Sequence, residues 1–336
     1  MNILAIETSC DETAAAVVQD GRKIISEALY TQIEIHKEYG GVVPEIASRN
    51  HIKKLPVVVQ EAVSLAGGFE NIDAVAVTNG PGLIGALLAG VSYAKGLAYT
   101  LKKPLIPVHH IAGHICANYI CHQELKPPFL CLVISGGHTQ IVHVQDYTTY
   151  EILGQTRDDA VGEAIDKVAR VLGLSYPGGP NLQKLADLGD ENKYILPTSF
   201  RGESHLDFSF SGVKTSVINM LHKFDQTNEP YKKEDVAASF MKNVAQLLSK
   251  NTFEALHRKH ITTLAVAGGV SANEQIRRVF MERAQKENIK LYFPKLEYCT
   301  DNAVMIGSCA YYEYQNGTAA GLDLNAQPVV HLDKHE

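Results

Sequence analysis

The hexapeptide His109-His110-Ile111-Ala112-Gly113-His114 is the sharpest cluster of reactive side chains in the sequence. On a helix, His110 and His114 fall one turn apart on one face, where two imidazoles can chelate a divalent cation. The same spacing suits two histidines hydrogen-bonded in or near a core, so spacing alone leaves both readings open. A catalytic cation also needs a third protein ligand and a free position. Asp301, in Cys299-Thr300-Asp301-Asn302-Ala303, is a candidate ligand, although Asp just ahead of a helix is most often its N-cap. Ile111 stands where H-E-x-x-H peptidases carry their glutamate base, which disfavours peptidase chemistry. The sequence also has no G-x-S-x-G elbow to support a serine hydrolase.

Glycine pairs offer a second kind of chemistry. Ser135-Gly136-Gly137-His138-Thr139 follows an apolar run, and Gly268-Gly269-Val270-Ser271-Ala272-Asn273 lies between an apolar run and a helical pattern. Without a Cβ, backbone N–H groups can approach an anion, and a helix start adds partial positive charge. Neither loop is a Walker A sequence or a complete G-x-G-x-x-G fingerprint, and tight turns are the plainer alternative. Two such loops in one half of the chain favour a nucleotide. Asp159, Glu163 and Asp166 share a face of the helix expected from Asp158, as solvated surface or as acceptors for ribose hydroxyls.

These residues need elements to position them. Asn2 to Glu7 reads as a strand, and Ala14 to Val18 with Lys23 to Leu29 as a hairpin about Asp20-Gly21. A helix is expected over Glu45 to Ala66, kinked or broken at Pro56. A strand at Asp73 to Thr78 leads through Asn79-Gly80-Pro81-Gly82 to a buried helix over Leu83 to Tyr99. The same succession returns as a strand at Phe129 to Ile134, a hairpin, a helix near Asp158, a strand at Thr262 to Ala267 and a helix from Asn273. Repeated strands and helices of this kind imply an α/β fold with two similar lobes, glycine loops at strand ends, and a ligand cleft between. We expect a first lobe over 1–110, completed by a C-terminal helix at about 303–322. A second lobe is expected over 111–302, with a helical insertion at about 178–259 and loop-like residues at 197–214. The stretch 324–336 is expected to be a loose tail.

Composition narrows the class. Forty-five per cent apolar and 20% charged residues in a chain of 336 exclude disorder, collagen and coiled coil. A net charge of −6 argues against a protein built mainly to coat nucleic acid. The local basic pairs, Lys53-Lys54, Lys102-Lys103, Lys232-Lys233 and Arg277-Arg278, read first as solvated surface. Six scattered cysteines without a C-x-x-C, and a start lacking a signal peptide, point to reduced thiols in the cytoplasm. The uncharged stretch Ala74 to Ala94 is interrupted by Asn79-Gly80-Pro81-Gly82, so no membrane span is expected.

The run from Lys95-Gly96 through Leu101-Lys102-Lys103-Pro104 to His110-Ile111-Ala112-Gly113-His114-Ile115 resembles the signature of the TsaD (Gcp, YgjD) family of tRNA threonylcarbamoyladenosine-forming proteins. Further matches are Glu7-Thr8-Ser9-Cys10-Asp11-Glu12-Thr13, Asn79-Gly80-Pro81-Gly82-Leu83, Ser135-Gly136-Gly137-His138-Thr139, Tyr176-Pro177-Gly178-Gly179-Pro180, Phe208-Ser209-Phe210-Ser211-Gly212 and Ala267-Gly268-Gly269-Val270-Ser271-Ala272-Asn273. The resemblance covers nearly the whole chain and has the style of the bacterial branch.

It implies an actin-like/sugar-kinase-like ATPase fold with two duplicated lobes around a nucleotide cleft. The implied activity is transfer of a threonylcarbamoyl group from threonylcarbamoyl-adenylate to N6 of the adenosine 3′ to the anticodon in tRNAs reading ANN codons. His110, His114 and Asp301 would hold one Fe2+ or Zn2+ ion. Val133, Ile134, Ser135, Gly136, Gly137, Asp166, Gly179 and Asn273 would bind the adenylate, or an ATP- or AMP-like nucleotide. TsaB-like and TsaE-like partners are implied, in a heteromeric complex or beside a homodimer, with the helix from Pro44 as the TsaB surface. The alternatives are an ATP-dependent small-molecule kinase of the same superfamily, which would leave the histidine pair without a purpose, and a non-catalytic nucleotide-binding scaffold.

Overall fold

The computed structural model describes residues 1–197 and 205–333. Part of the expected loop over 197–214 and the last residues of the expected tail lie outside these described residues. In chain order the elements of the first stretch are β1 (Asn2–Glu7), β2 (Glu12–Gln19), β3 (Lys23–Thr31), α1 (Ile33–Lys37), α2 (Pro44–Leu65), β4 (Ala74–Gly80), α3 (Ile84–Leu101), β5 (Leu105–His109) and α4 (His110–Cys121). There follow β6 (Phe129–Ile134), β7 (Thr139–Asp146), β8 (Thr149–Gln155), α5 (Val161–Val171), α6 (Gly178–Ala186), α7 (Ser211–Thr227) and α8 (Lys233–Lys259). The chain closes with β9 (Thr263–Ala267), α9 (Glu274–Glu287), β10 (Lys290–Tyr292) and α10 (Ala303–Gln315).

Two compact units result. Met1–Pro127, Val144–Glu151 and the chain from Pro294 onward make the first, and Pro128–His143 with Ile152–Phe293 the second. The sheet of the first unit has strand order β3-β2-β1-β4-β5, and that of the second, read from its far edge, is β8-β7-β6-β9-β10. Counted within its own unit, each sheet therefore runs third, second, first, fourth, fifth strand. The repeat expected from patterning is a repeat of topology.

In the first sheet β1 pairs antiparallel with β2 and parallel with β4. The hairpin turns on Asp20 and Gly21, both left-handed at φ 52° and 69°. β1 and β4 are almost wholly buried because helices cover the sheet, which explains their uninterrupted apolar sequence. Of the kink or break expected at Pro56, the break does not occur: α2 runs continuously through it. Its buried face is Ala47, His51, Leu55, Val58, Val59, Ala62 and Val63, while Ile52 and Leu65 lie in solvent. The turn around Ile52 whose carbonyl Pro56 cannot serve is thus exposed, where water can satisfy it. α3 is the one helix among the described residues long and apolar enough to cross a membrane, but its Ala86, Leu87, Val91, Ala94 and Ala98 are buried in the core of the first unit.

Two boundaries differ from expectation. α4 belongs wholly to the first unit rather than opening the second. Its Gly113 lies so close to α10 that a Cβ there would stand 2.7 Å from Ile306 Cδ1. Arg22, just before β3, donates to the carbonyls of Tyr119, His122, Gln123 and Leu125 where α4 ends. The residues from 324 to 333, read as a loose tail, are tied to the first unit. Gln327 N donates to Asn79 O at 2.7 Å, Gly82 N to Pro328 O at 3.3 Å and Lys95 Nζ to Leu324 O at 2.8 Å.

Candidate metal centre and nucleotide loops

β5 ends at His109 and α4 starts at the next residue, so His110 occupies the first helical position. His109 caps the helix: its Nδ1 accepts from Ile111 N at 3.1 Å. One turn on, His114 presents its ring beside that of His110, with centroids 4.7 Å apart. Asp301 arrives from the other end of the sequence. It is not the N-cap of α10; that role is taken by Asn302, whose side chain accepts from Met305 N at 2.9 Å. Asp301 is thereby released to face the histidines, with Oδ1 3.2 Å from His114 Nε2 and 3.5 Å from His110 Nε2.

The donor atoms of the three residues all lie within 4.8 Å of one another. Donors bound at 2.0–2.1 Å to a tetrahedral ion lie about 3.3 Å apart, so this spacing fits one ion. A further observation agrees with it. His114 is 1% exposed on its side chain, and neither ring nitrogen has a hydrogen-bond partner. A buried polar atom left unpaired is costly, and a cation opposite Nε2 removes that cost. Two neutral nitrogens and one carboxylate oxygen suit iron or zinc better than magnesium, and three protein ligands leave a position open.

The surroundings are strongly anionic. Glu7, at the buried end of β1, places Oε2 3.1 Å from His110 Nδ1, and Ser9 Oγ lies at the same distance. The Glu7 carboxylate is itself held by Thr78 Oγ1 at 2.6 Å and by Ser9 N. Burial disfavours charge on His110, yet Asp301 and Glu7 outweigh it and push the imidazolium pKa up to about 9. Burial raises the Glu7 carboxyl, but His110 outweighs that and holds it below its ordinary value. Glu12 and Cys10 are pushed well up, first by burial and then by Asp11 and Asp301. Carboxylates thus outnumber the two histidines here, and their mutual repulsion is felt as far as Cys10 and Glu12. Glu7 and Ser9 were not among the residues singled out as ligands. The available signal was a lone carboxylate closing an apolar strand.

The second unit holds the glycine loops. β6 and β9 pair in parallel, with Val133 opposite Ala267, so both loops leave the same C-terminal end of adjacent strands. Val133 and Ile134 are fully buried, so only their main chain is available to a ligand. Ser135 N donates to His138 O at 2.9 Å and His138 N to Ser135 Oγ at 3.2 Å; the main chain of His138 thus closes the loop. Gly136 and Gly137 are exposed, and a Cβ on either would meet nothing within 4 Å. Gly162 and Gly268 are required for packing. A Cβ on Gly162 would lie 2.6 Å from Ser135 O, and one on Gly268, at φ +89°, 2.4 Å from Ile134 O.

The three carboxylates expected on one stripe separate. α5 begins only at Val161, so Asp159 precedes it and pairs with Lys167 and Lys214. Glu163 pairs with Lys167 at 2.6 Å. Asp166, one turn beyond Gly162 on the same face of α5, turns to the start of α6, where Oδ1 accepts from Gly178 N at 3.0 Å. It also accepts from Gly179 N, and burial still raises its carboxyl above the ordinary value despite those two donors. Asn273 caps α9 by accepting from Ile276 N at 3.0 Å, and the next residue, Glu274, donates its N–H to Gln183 Oε1 of α6. Ser135 and Gly136 thus lie against Gly162 of α5, Asp166 of α5 holds Gly178 and Gly179 of α6, and Glu274, next to Asn273, bonds Gln183 of α6.

Two α/β units of one strand order, one carrying a two-histidine, one-carboxylate cluster and the other glycine loops at strand ends, define a two-lobed protein of the actin-like, sugar-kinase-like ATPase fold. The chain is similar to HypF in its phosphate- and nucleotide-bound form, with a TM-score of 0.61 and 14% identity over 94% of this chain and 46% of that one. It is also similar to the ROK hexokinase of Thermus thermophilus, with a TM-score of 0.51 and 13% identity over 95% and 100%. At these identities the likeness is one of fold. Residues 23–308 match the family model for TsaD, tRNA N6-adenosine threonylcarbamoyltransferase. A protein of that name from Clostridium novyi is 54% identical over 334 residues, covering 99% of this chain and 98% of the relative. The chain belongs to the TsaD family of transferases, which modify tRNA.

Proposed function

We propose that this chain transfers the threonylcarbamoyl group of threonylcarbamoyl-adenylate to N6 of the adenosine 3′ to the anticodon in tRNAs reading ANN codons. The N6 nitrogen attacks the carbamoyl carbonyl carbon, a C–N bond forms, the bond from that carbon to the phosphate oxygen breaks, and AMP leaves as the amine loses a proton. The observation that carries the reading is the meeting of Asp301 with His110 and His114, far from it in sequence, with donor atoms within 4.8 Å of one another and the buried His114 nitrogens making no hydrogen bond. An iron or zinc ion held by those three residues would supply Lewis-acid polarisation of a carbonyl oxygen.

The chain's own groups do the rest. Glu7 accepts from His110 Nδ1–H, which fixes the tautomer and keeps the Nε2 lone pair directed at the ligand position. The exposed main chain of Gly136 and Gly137 offers N–H donors to the AMP phosphate. Asp166 and Gly179 flank the start of α6 and would hold the nucleoside, beside the N-terminus of α9 capped by Asn273. Positioning of a reactive mixed anhydride supplies much of the rate, which agrees with the lack of an assigned general base. Ile52, Val57 and Leu65 are 62–65% exposed on α2 and favour that helix as the surface for a TsaB-like partner, with a TsaE-like protein completing the assembly. A cytoplasmic location follows from the substrate.

Incubating the protein and its partners with threonylcarbamoyl-adenylate and tRNA should yield modified tRNA and AMP. Release of ADP with a phosphorylated small molecule would instead establish a kinase.

A further inference from the structure

A cavity of about 400 Å³ opens in the first unit at the far end of α4 from the histidines. Its wall combines Arg22 and Lys23 from the start of β3, Cys121 and Gln123 from the end of α4, and Lys295 and Tyr298 from the segment leading to Asp301. Three cations from two distant parts of the sequence therefore border one hollow, and no carboxylate is part of its lining. Arg22 spends its donors on the carbonyls that end α4 and on the Tyr312 hydroxyl. This offsets the negative end of the α4 dipole, equivalent to about half a charge, and leaves a net positive contribution from the guanidinium. Lys23 is exposed, and Lys295 is 69% exposed on its side chain, with its nearest carboxylate, Glu297, at 4.0 Å. Glu27 is near the rim, engaged with the Tyr298 hydroxyl.

One or both members of three of the basic pairs legible in the sequence are engaged elsewhere. Lys54 stacks on Tyr30, Lys233 binds Leu172 O, Arg277 binds Ser271 O and Arg278 pairs with Glu191. The cavity is also tied to the metal ligands by its framework. Cys121 lies two turns past His114, about 10 Å along the helix axis. Lys295 and Tyr298 belong to the short segment that delivers Asp301.

We infer that this cavity is a phosphate-binding site for the RNA backbone, engaging phosphodiesters a few nucleotides from the adenosine that is modified. The inference rests on the tRNA reading proposed above. The ligand is polyanionic and single-stranded at that point, and Lys23 and Lys295 hold it by charge, so its signature is dependence on salt.

The test compares the full chain, assembled with its partners, with the Lys23→Ala/Lys295→Ala double variant. Binding of a labelled tRNA anticodon stem-loop is titrated without acyl donor across 50–200 mM salt, as about 0.7 counterions are released per single-strand phosphate engaged. The expected result is a roughly five- to tenfold loss of affinity and a slope of log K against log salt reduced by about 1–2, one for each lysine removed. Metal content, melting temperature and the KM for the acyl donor should be unchanged, with the KM for tRNA raised. Unchanged affinity and slope overturn the inference, as does a loss of affinity with no change in slope. A variant that binds RNA normally but no longer binds an acidic protein partner also overturns it. Absence of threonylcarbamoyl transfer by the wild type, with RNA binding still weakened in the variant, would refute the proposed reaction and leave this site standing.

Discussion

Glu7 and Asp301 bracket His110, one at each ring nitrogen, so a ring in a buried place is held by two carboxylates. Replacing His110 with Ala should abolish retained metal, read by elemental analysis, and with it transfer, while the far-ultraviolet circular dichroism stays that of the wild type. Full transfer by metal-free protein would refute the assigned role. Glu7→Gln keeps the shape of the side chain but removes the charge that orients the ring. Metal affinity should fall about 10–100-fold, measured by competition with a chelator, as for other carboxylates behind a metal-binding histidine. In the sequence Asp301 is a candidate ligand that only family resemblance favours over a helix cap, because locally it competes with Asn302 for the cap of α10. The hydrogen bond from Met305 N to Asn302 Oδ1 decides that competition.

Helix contacts set where those side chains point. Gly113, between the two histidines, faces α10 closely enough that a Cβ would require the Ile306 Cδ1 methyl to move, so a larger side chain there is opposed by packing. Gly113→Val should overpack the α4–α10 contact, cost about 1–3 kcal/mol in chemical denaturation, and loosen metal binding by shifting α4 against Asp301. In the second unit Asp158 receives Phe210 N at 2.8 Å and Ser211 N at 3.2 Å, and so caps α7 from a distant loop. Burial opposes its charge, yet the hydroxyls of Ser209 and Ser211 and those two amides hold its carboxyl below the ordinary range. Its folded pKa being depressed, the stabilisation is complete above the unfolded value near 3.9 and is lost as pH falls through the folded one. Asp158→Ala should therefore cost about 1 kcal/mol at pH 7, and the difference between variant and wild type should shrink below about pH 4.

At the scale of the whole molecule, the segment from 324 to 333 ties the end of the chain to the loop after β4. A Cβ on Gly80 would stand 2.1 Å from Gln327 O, and Gly82 N bonds Pro328 O. Gly82 in turn crowds Ser9, whose hydroxyl meets His110. Removing everything after residue 323 should lower the melting temperature by several degrees, the shift expected for a loss of about 1–2 kcal/mol. It should also weaken metal retention, although no ligand is deleted; retention equal to the wild type would show the segment to be a passive cover. By itself the sequence determined the repeated strand–helix order, the hairpin at Asp20-Gly21, the glycine loops and the histidine spacing, because periodicity, turn chemistry and helical pitch are local properties. The tertiary structure decided that Pro56 does not break α2, that α4 belongs with the first unit, and that Asp159, Glu163 and Asp166 part company. It also brought Glu7, His110, His114 and Asp301 to one point. Such outcomes depend on which surfaces are buried against which, and contacts between residues far apart along the chain leave no periodic trace within any single segment.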